Sequence, residues 1–301
     1  MKILMKFHKM KVLNAAKNII LFASFGYFLY FINGNAAEFS RLKNFDIFII
    51  FLIIFLKYTG FHFLSLMNLH VLKNINVNVN KIISLSLTSK NALGNLSLPL
   101  KLGAGYKFYY LKKNFSFKTA QYFYLWTFIS LVNLFPIIII AFIIYAYSEQ
   151  FNLSQALLII LALLVPLFFL IKLTTSWNYL EKLGAIKSFK YFSRSNINLQ
   201  IFHILFYLTE SVTIFIVFNH LDSSISYFSA FAYIVLSIAI NLVNVTPGNI
   251  GVKEGLIILL SGIHGISYEI VIIASLIERF FSFVVLFGIE FVLNKKFKID
   301  I

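Results

Sequence analysis

Ionisable side chains interrupt the apolar stretches of this sequence at Lys57, Glu210, Lys253, Glu254, Glu278 and Arg279. Charge at membrane depth is costly and as a rule marks a substrate path, a proton relay or an internal ion pair. Carboxylates, ammonium groups and a guanidinium in one apolar setting can neutralise one another or hold an anion such as a phosphate. Covalent chemistry has less to work with. The chain has no cysteine, which excludes a thiolate nucleophile and a zinc–thiolate site. There is also no metal-ligand cluster, no nucleotide-binding loop and no acidic pair of recognisable spacing outside the apolar runs, so no catalytic or metal residue is assigned and no cofactor is expected. Glu254 stands out because it follows Gly251 by three residues, at the start of a short helix behind Pro247-Gly248. A carboxylate in the first turn of a helix caps free N–H groups; inside a membrane, next to Lys253, it would also face a polar cavity. Glu278 and Arg279 serve equally as bracing between helices or as part of a path. His203, about two turns before Glu210 on one expected helix, is read first as a packing residue.

The elements that position these residues are long apolar blocks. Apolar residues make up 60% of the chain and charged ones 12%, against about 25% charged in an average globular protein. Blocks over residues 47–67, 123–147, 153–173, 197–218, 227–245 and 270–293 approach or exceed the ~20 residues of a spanning helix. Runs such as Ile137 to Ile140 do not alternate, which excludes the strands of a membrane barrel. Residues 18–32 follow a lysine-rich start and are expected to be a retained first helix. Two segments cannot be plain spans. One, 81–113, contains Pro99, Gly103 and Gly105; the other, 227–266, contains Pro247, Gly248 and Gly251. Proline removes a backbone donor and glycine permits left-handed backbone, so each should break there. A break at membrane depth is tolerated only against protein or a water-filled cavity. Both breaks read Pro-x-x-x-Gly, and each follows two helices and precedes one. The expected fold is an all-α polytopic membrane protein with about six full spanning helices and two broken or re-entrant elements. It forms a single integral membrane domain over 1–301, with an inverted repeat of halves 1–150 and 151–301. The two tips are expected to meet near the midplane, because freed backbone groups are costly in hydrocarbon.

The net charge of +15 does not point to nucleic acid, because of where the charge sits. Most of the 26 Lys and Arg fall in residues 1–17, 73–118, 172–194 and 295–298, whereas the other loops hold Glu38, Arg41, Lys43 and Asp46, then Glu149, Asp222 and Glu269. This is the positive-inside pattern; it places both termini and the two basic loops in the cytoplasm.

The run Thr246-Pro247-Gly248-Asn249-Ile250-Gly251-Val252-Lys253-Glu254, then Gly265, then Glu278-Arg279, resembles the signature of the flippase-like family that shares the transmembrane region of lysylphosphatidylglycerol synthase. Its usual form is Pro-Gly-Gly-x-Gly-x-x-Glu, then a glycine and a helix bearing Arg. The segment from Pro99 is similar to the family's first motif, Pro-Gly-x-x-Gly-Glu-x-x-Arg. Asn249 stands for a glycine, Leu100 for another, Ala104 for the first motif's Glu and Lys107 for its Arg. The resemblance implies movement of a lipid or lipid-linked envelope intermediate between the leaflets of a bacterial inner membrane, by a transporter, with membrane lipids as partners; an integral-membrane transferase is the weaker reading. It assigns Lys107, Pro247, Gly248, Gly251, Lys253, Glu254, Glu278 and Arg279 to the headgroup path, supported by Pro99, Gly103, Glu210 and Asn244. The alternative is a non-translocating membrane partner or anchor of a cytoplasmic glycosyltransferase or other envelope-lipid enzyme, docked through the basic segment 101–118.

Overall fold

The computed structural model describes residues 45–74, 77–98, 102–119, 121–122, 194–221, 249, 252–259 and 266–297, scattered positions between 225 and 237, and residues 26 and 33. The expected spans at 18–32, 123–147 and 153–173 lie essentially outside them, as do Pro99, Asn244, Pro247, Gly248 and Gly251. Among the described residues the chain is helical, with no strand.

In chain order the helices are α1 (Ile47–Asn74), α2 (Lys81–Ser97), α3 (Leu102–Phe115), α4 (Arg194–Leu221), α5 (Val252–Leu259) and α6 (Tyr268–Phe297). Of these, α1, α4 and α6 are long and apolar enough to cross a membrane. They extend the expected blocks by one or two turns, because charged or polar residues at the ends continue the helix beyond the apolar core. At 28 residues, α1 is ~42 Å long, more than a hydrocarbon core of ~30 Å. One face of α1 leaves Phe48, Phe51 and Phe55 uncovered, as suits a surface turned to lipid tails.

The three long helices pack side by side with defined polarity. Phe45 meets His220, and His70 meets Phe202, so α4 is antiparallel to α1. Gly60 permits their close approach: a Cβ there would lie 3.1 Å from Thr209 Oγ1 and 3.2 Å from Glu210 Oε1. Ile53 belongs to the same apolar cluster as Val271 and Ala274, whereas Phe61 packs against the cluster that holds Phe283 and Leu286, so α6 is parallel to α1.

The expected break in segment 81–113 is present. Asn80 caps α2, its Oδ1 accepting from the Ile83 N–H at 2.7 Å. The helix ends at Leu98, which is extended (φ −122°, ψ 145°), the conformation that a following proline imposes. The chain then reverses. Gly103 lies so close to α2 that a Cβ would come within 2.1 Å of the Asn91 carbonyl oxygen. Thus α2 and α3 form a helical hairpin, with arms of 17 and 14 residues that are ~26 and ~21 Å long. The first arm runs antiparallel to α6: Ile82 and Leu85 pack with Ile289 and Leu293, and Leu93 with Phe283 and Leu286. Leu93 and Leu96 near the tip lie with Phe61, halfway along α1. Met67, Val71, Leu72, Tyr106, Tyr110, Leu111 and Phe117 form the apolar core at the hairpin's open end.

Candidate functional site

At the level where α1, α4 and α6 meet, the apolar packing gives way to an ionic cluster. Lys57 Nζ on α1 donates to Glu210 Oε2 on α4 at 2.6 Å and lies 3.5 Å from Glu278 Oε1 on α6. Lys253 Nζ on α5 donates to the other oxygen, Glu278 Oε2, at 2.8 Å. The Lys253 ammonium also sits 5.3 Å from the centre of the Tyr233 ring, within range of the ring's negative face. Glu278 is therefore shared, one oxygen for each lysine. Arg279, next in the chain, is buried and within electrostatic reach of both Lys253 and Glu278. Among the described side chains this cluster holds three cations and two carboxylates.

Local structure explains why these residues converge. Asn249 stands where the family pattern has glycine, and its φ is +56°. Asparagine tolerates that left-handed conformation better than most residues. Helix α5 begins three residues later, at Val252, and Lys253 sits in its first turn, facing α6. Glu254 follows in the same turn; its side chain lies outside the described residues. Burial keeps the cluster's charges from water, and isolated buried charges are strongly unfavourable unless paired.

Of the residues singled out in the sequence, the structure thus brings together Glu210, Lys253, Glu278 and Arg279, with Lys57. It places Lys107 elsewhere. Lys107 Nζ lies 2.6 Å from Asn68 Oδ1, and Asn68 is eleven residues beyond Lys57 on α1, ~16 Å along the axis. Gly103 sits in the hairpin near its turn. The expected meeting of the two tips falls on residues outside the described ones. His203 is buried, its ring against Tyr207 at 4.4 Å.

A second polar group was not singled out from sequence. Glu290 on α6 is 2% exposed. Its Oε1 accepts from Ser86 Oγ at 3.3 Å and from Ser89 Oγ, and its Oε2 is 3.4 Å from Lys90 Nζ. Two signals point to it. Glu290 interrupts the same apolar run as Glu278, and Ser86, Ser89 and Lys90 are spaced i, i+3, i+4, which puts them on one helix face. Among the described residues no group of His, Asp and Glu suits a metal ion.

No curated protein and no solved structure matches the chain. The family described as lysylphosphatidylglycerol synthase TM region does match, over residues 18–289. With that match covering nearly the whole chain, and with helices fit to cross a bilayer, this multi-pass membrane protein belongs to the family of the lysylphosphatidylglycerol synthase transmembrane region.

Proposed function

We propose that the protein moves a phosphate-bearing membrane lipid, or a lipid-linked envelope intermediate, between leaflets, and that Lys57, Glu210, Lys253, Glu278 and Arg279 form the polar station for its headgroup. The observation that carries this reading is the buried cluster itself, which gathers Lys57, Lys253 and Arg279 from three helices around Glu210 and Glu278. A phosphate is the anion a lipid would bring, and charge-assisted hydrogen bonds from Lys and Arg are the strong way to hold it. Bound phosphate would compete with Glu278 for Lys253 and Arg279, so the existing ion pairs hold the site closed until the substrate replaces them. The α2–α3 hairpin is read as re-entrant. Its arms are shorter than a bilayer core, and its tip stops beside the middle of α1. Such broken elements line cavities at the midplane of transporters. The acyl tails would remain in lipid while the headgroup passes.

The test is translocation in proteoliposomes loaded with labelled phospholipids or polyprenyl-phosphate lipids, read by protection of the label from a membrane-impermeant quencher. Protein-dependent movement that is lost in Lys253→Met and Glu278→Gln, with both variants still folded, is the expected result. Absence of movement with every lipid of both classes would sink the reading and favour a membrane partner of a cytoplasmic envelope enzyme.

A further inference from the structure

The α2–α3 hairpin contains a buried cation that the ionic cluster does not use. Lys107 is 5% exposed. Its Nζ donates to Asn68 Oδ1 at 2.6 Å, and it makes no salt bridge among the described residues. The Asn68 amide is held in that orientation. Its Nδ2 donates to the Leu64 carbonyl and to Thr88 Oγ1, both at 3.1 Å, and the Thr88 hydroxyl is committed to the Ser84 carbonyl at 2.8 Å. An ammonium carries three N–H donors. Asn68 accepts one, and the described residues give no acceptor for the other two.

Among the described residues the surroundings do not supply the missing negative charge. Residues 81–118 contain Lys81, Lys90, Lys101, Lys107, Lys112, Lys113 and Lys118 but no Asp or Glu. The carboxylate that reaches the hairpin from α6, Glu290, is engaged by Lys90, Ser86 and Ser89. The hairpin also buries polar atoms without a partner: Asn95 Oδ1, Ser97 Oγ and Tyr106 Oη. A buried ammonium facing only a neutral amide is unfavourable unless an anion completes it, and orphaned buried polar atoms point to a missing ligand or water.

We propose that Lys107 and Asn68 form a second anion site, which takes a phosphate group. Two free N–H donors on a compact point charge suit the oxygens of a phosphate, carried either by a lipid headgroup or by free inorganic phosphate. The site is separate from the cluster at Lys57, ~16 Å along α1, at the end of the bundle where α1 meets the lysine-rich segment. It goes beyond the translocation reading, since binding here stands whether or not lipid is moved.

The experiment is binding to the purified full-length chain in a nonionic, phosphate-free detergent, followed by thermophoresis. The probes are inorganic phosphate and, separately, a short-chain phosphatidylglycerol below its micellar concentration. The variants are Lys107→Met, which removes the charge at similar length, Lys107→Arg, which keeps it, and Asn68→Asp, which supplies a resident counter-charge. The expected result is saturable binding of at least one probe, weakened tenfold or more in Lys107→Met and Asn68→Asp and retained in Lys107→Arg. Binding of the lipid alone assigns the site to a headgroup; equal binding of inorganic phosphate assigns it to the free ion. If Lys107→Met does not fold, Asn68→Asp, which leaves the lysine in place, carries the test. No binding of either probe to the unaltered chain, or binding undiminished in Asn68→Asp, would overturn the proposal. A chain that moves lipid yet fails this test separates the two readings, as does one that binds at Lys107 and moves nothing.

Discussion

Glu278 divides its two carboxylate oxygens between Lys57 and Lys253, which come from different helices. Lys57 has a second carboxylate in Glu210, whereas Lys253 has no other among the described residues. Removing one member of a buried pair leaves the other charge uncompensated, typically at a cost of about 3–5 kcal/mol. Glu278→Gln should therefore destabilise the protein by that order and more than Glu210→Gln, measured as unfolding midpoints of the purified variants in one detergent. Equal losses would mean that Lys253 finds its neutralisation elsewhere. Glu254 asks a different question at the same scale. A carboxylate that only caps α5 tolerates Gln at about 1 kcal/mol, while one on the headgroup path does not. Folded Glu254→Gln protein with unimpaired translocation would reduce Glu254 to a cap.

The hairpin shows how a single glycine sets the geometry of an element. At Gly103 an added Cβ would sit 2.1 Å from the Asn91 carbonyl oxygen, while at Gly105, two residues on in the same helix, nothing lies within 4 Å. The two substitutions to alanine should therefore have opposite signs. Gly105→Ala removes a helix-interior glycine and is expected to stabilise by roughly 0.5–1 kcal/mol. Gly103→Ala must push α3 away from α2 and lower the unfolding midpoint; it should also weaken the Lys107–Asn68 contact, which depends on α3 lying close. A midpoint unchanged by Gly103→Ala would show that the arms are not packed as described. Break and glycine were both legible in the sequence, since Pro99 and Gly103 announce a turn by their chemistry. The contact that makes Gly103 indispensable was not, because Asn91 and Asn95 have no signature as its neighbours.

For the whole molecule, helix polarity and charge agree. With α6 parallel and α4 antiparallel to α1, the Asn74 end of α1, the start of α4 at Arg194 and the Phe297 end of α6 lie at one end of the bundle. That end carries Lys73, Lys81, Lys112, Lys113, Arg194 and Lys295. By the positive-inside rule it is expected to face the cytoplasm. Reporter fusions at Lys11 and Lys298 should read cytoplasmic, and fusions near Asn35 and Asp222 external. An external carboxyl terminus would contradict both the charge pattern and the expectation of two inverted halves.

The sequence by itself determined the class of the protein and the candidates for its chemistry. Apolar blocks of spanning length can only be helices in lipid, proline and glycine locate a break in segment 81–113, and ionisable residues inside the blocks mark Glu210, Lys253, Glu278 and Arg279. Only the tertiary structure decided which of them meet. Lys57 pairs with Glu210 across 153 residues and with Glu278 across 221. The physical reason is that a helix apolar on all sides carries no record of which face meets which neighbour. The same ambiguity hid the Glu290 group, and it left Lys107 free to be grouped with Lys253, when packing of α3 against α2, which itself lies on α1, places it instead beside Asn68.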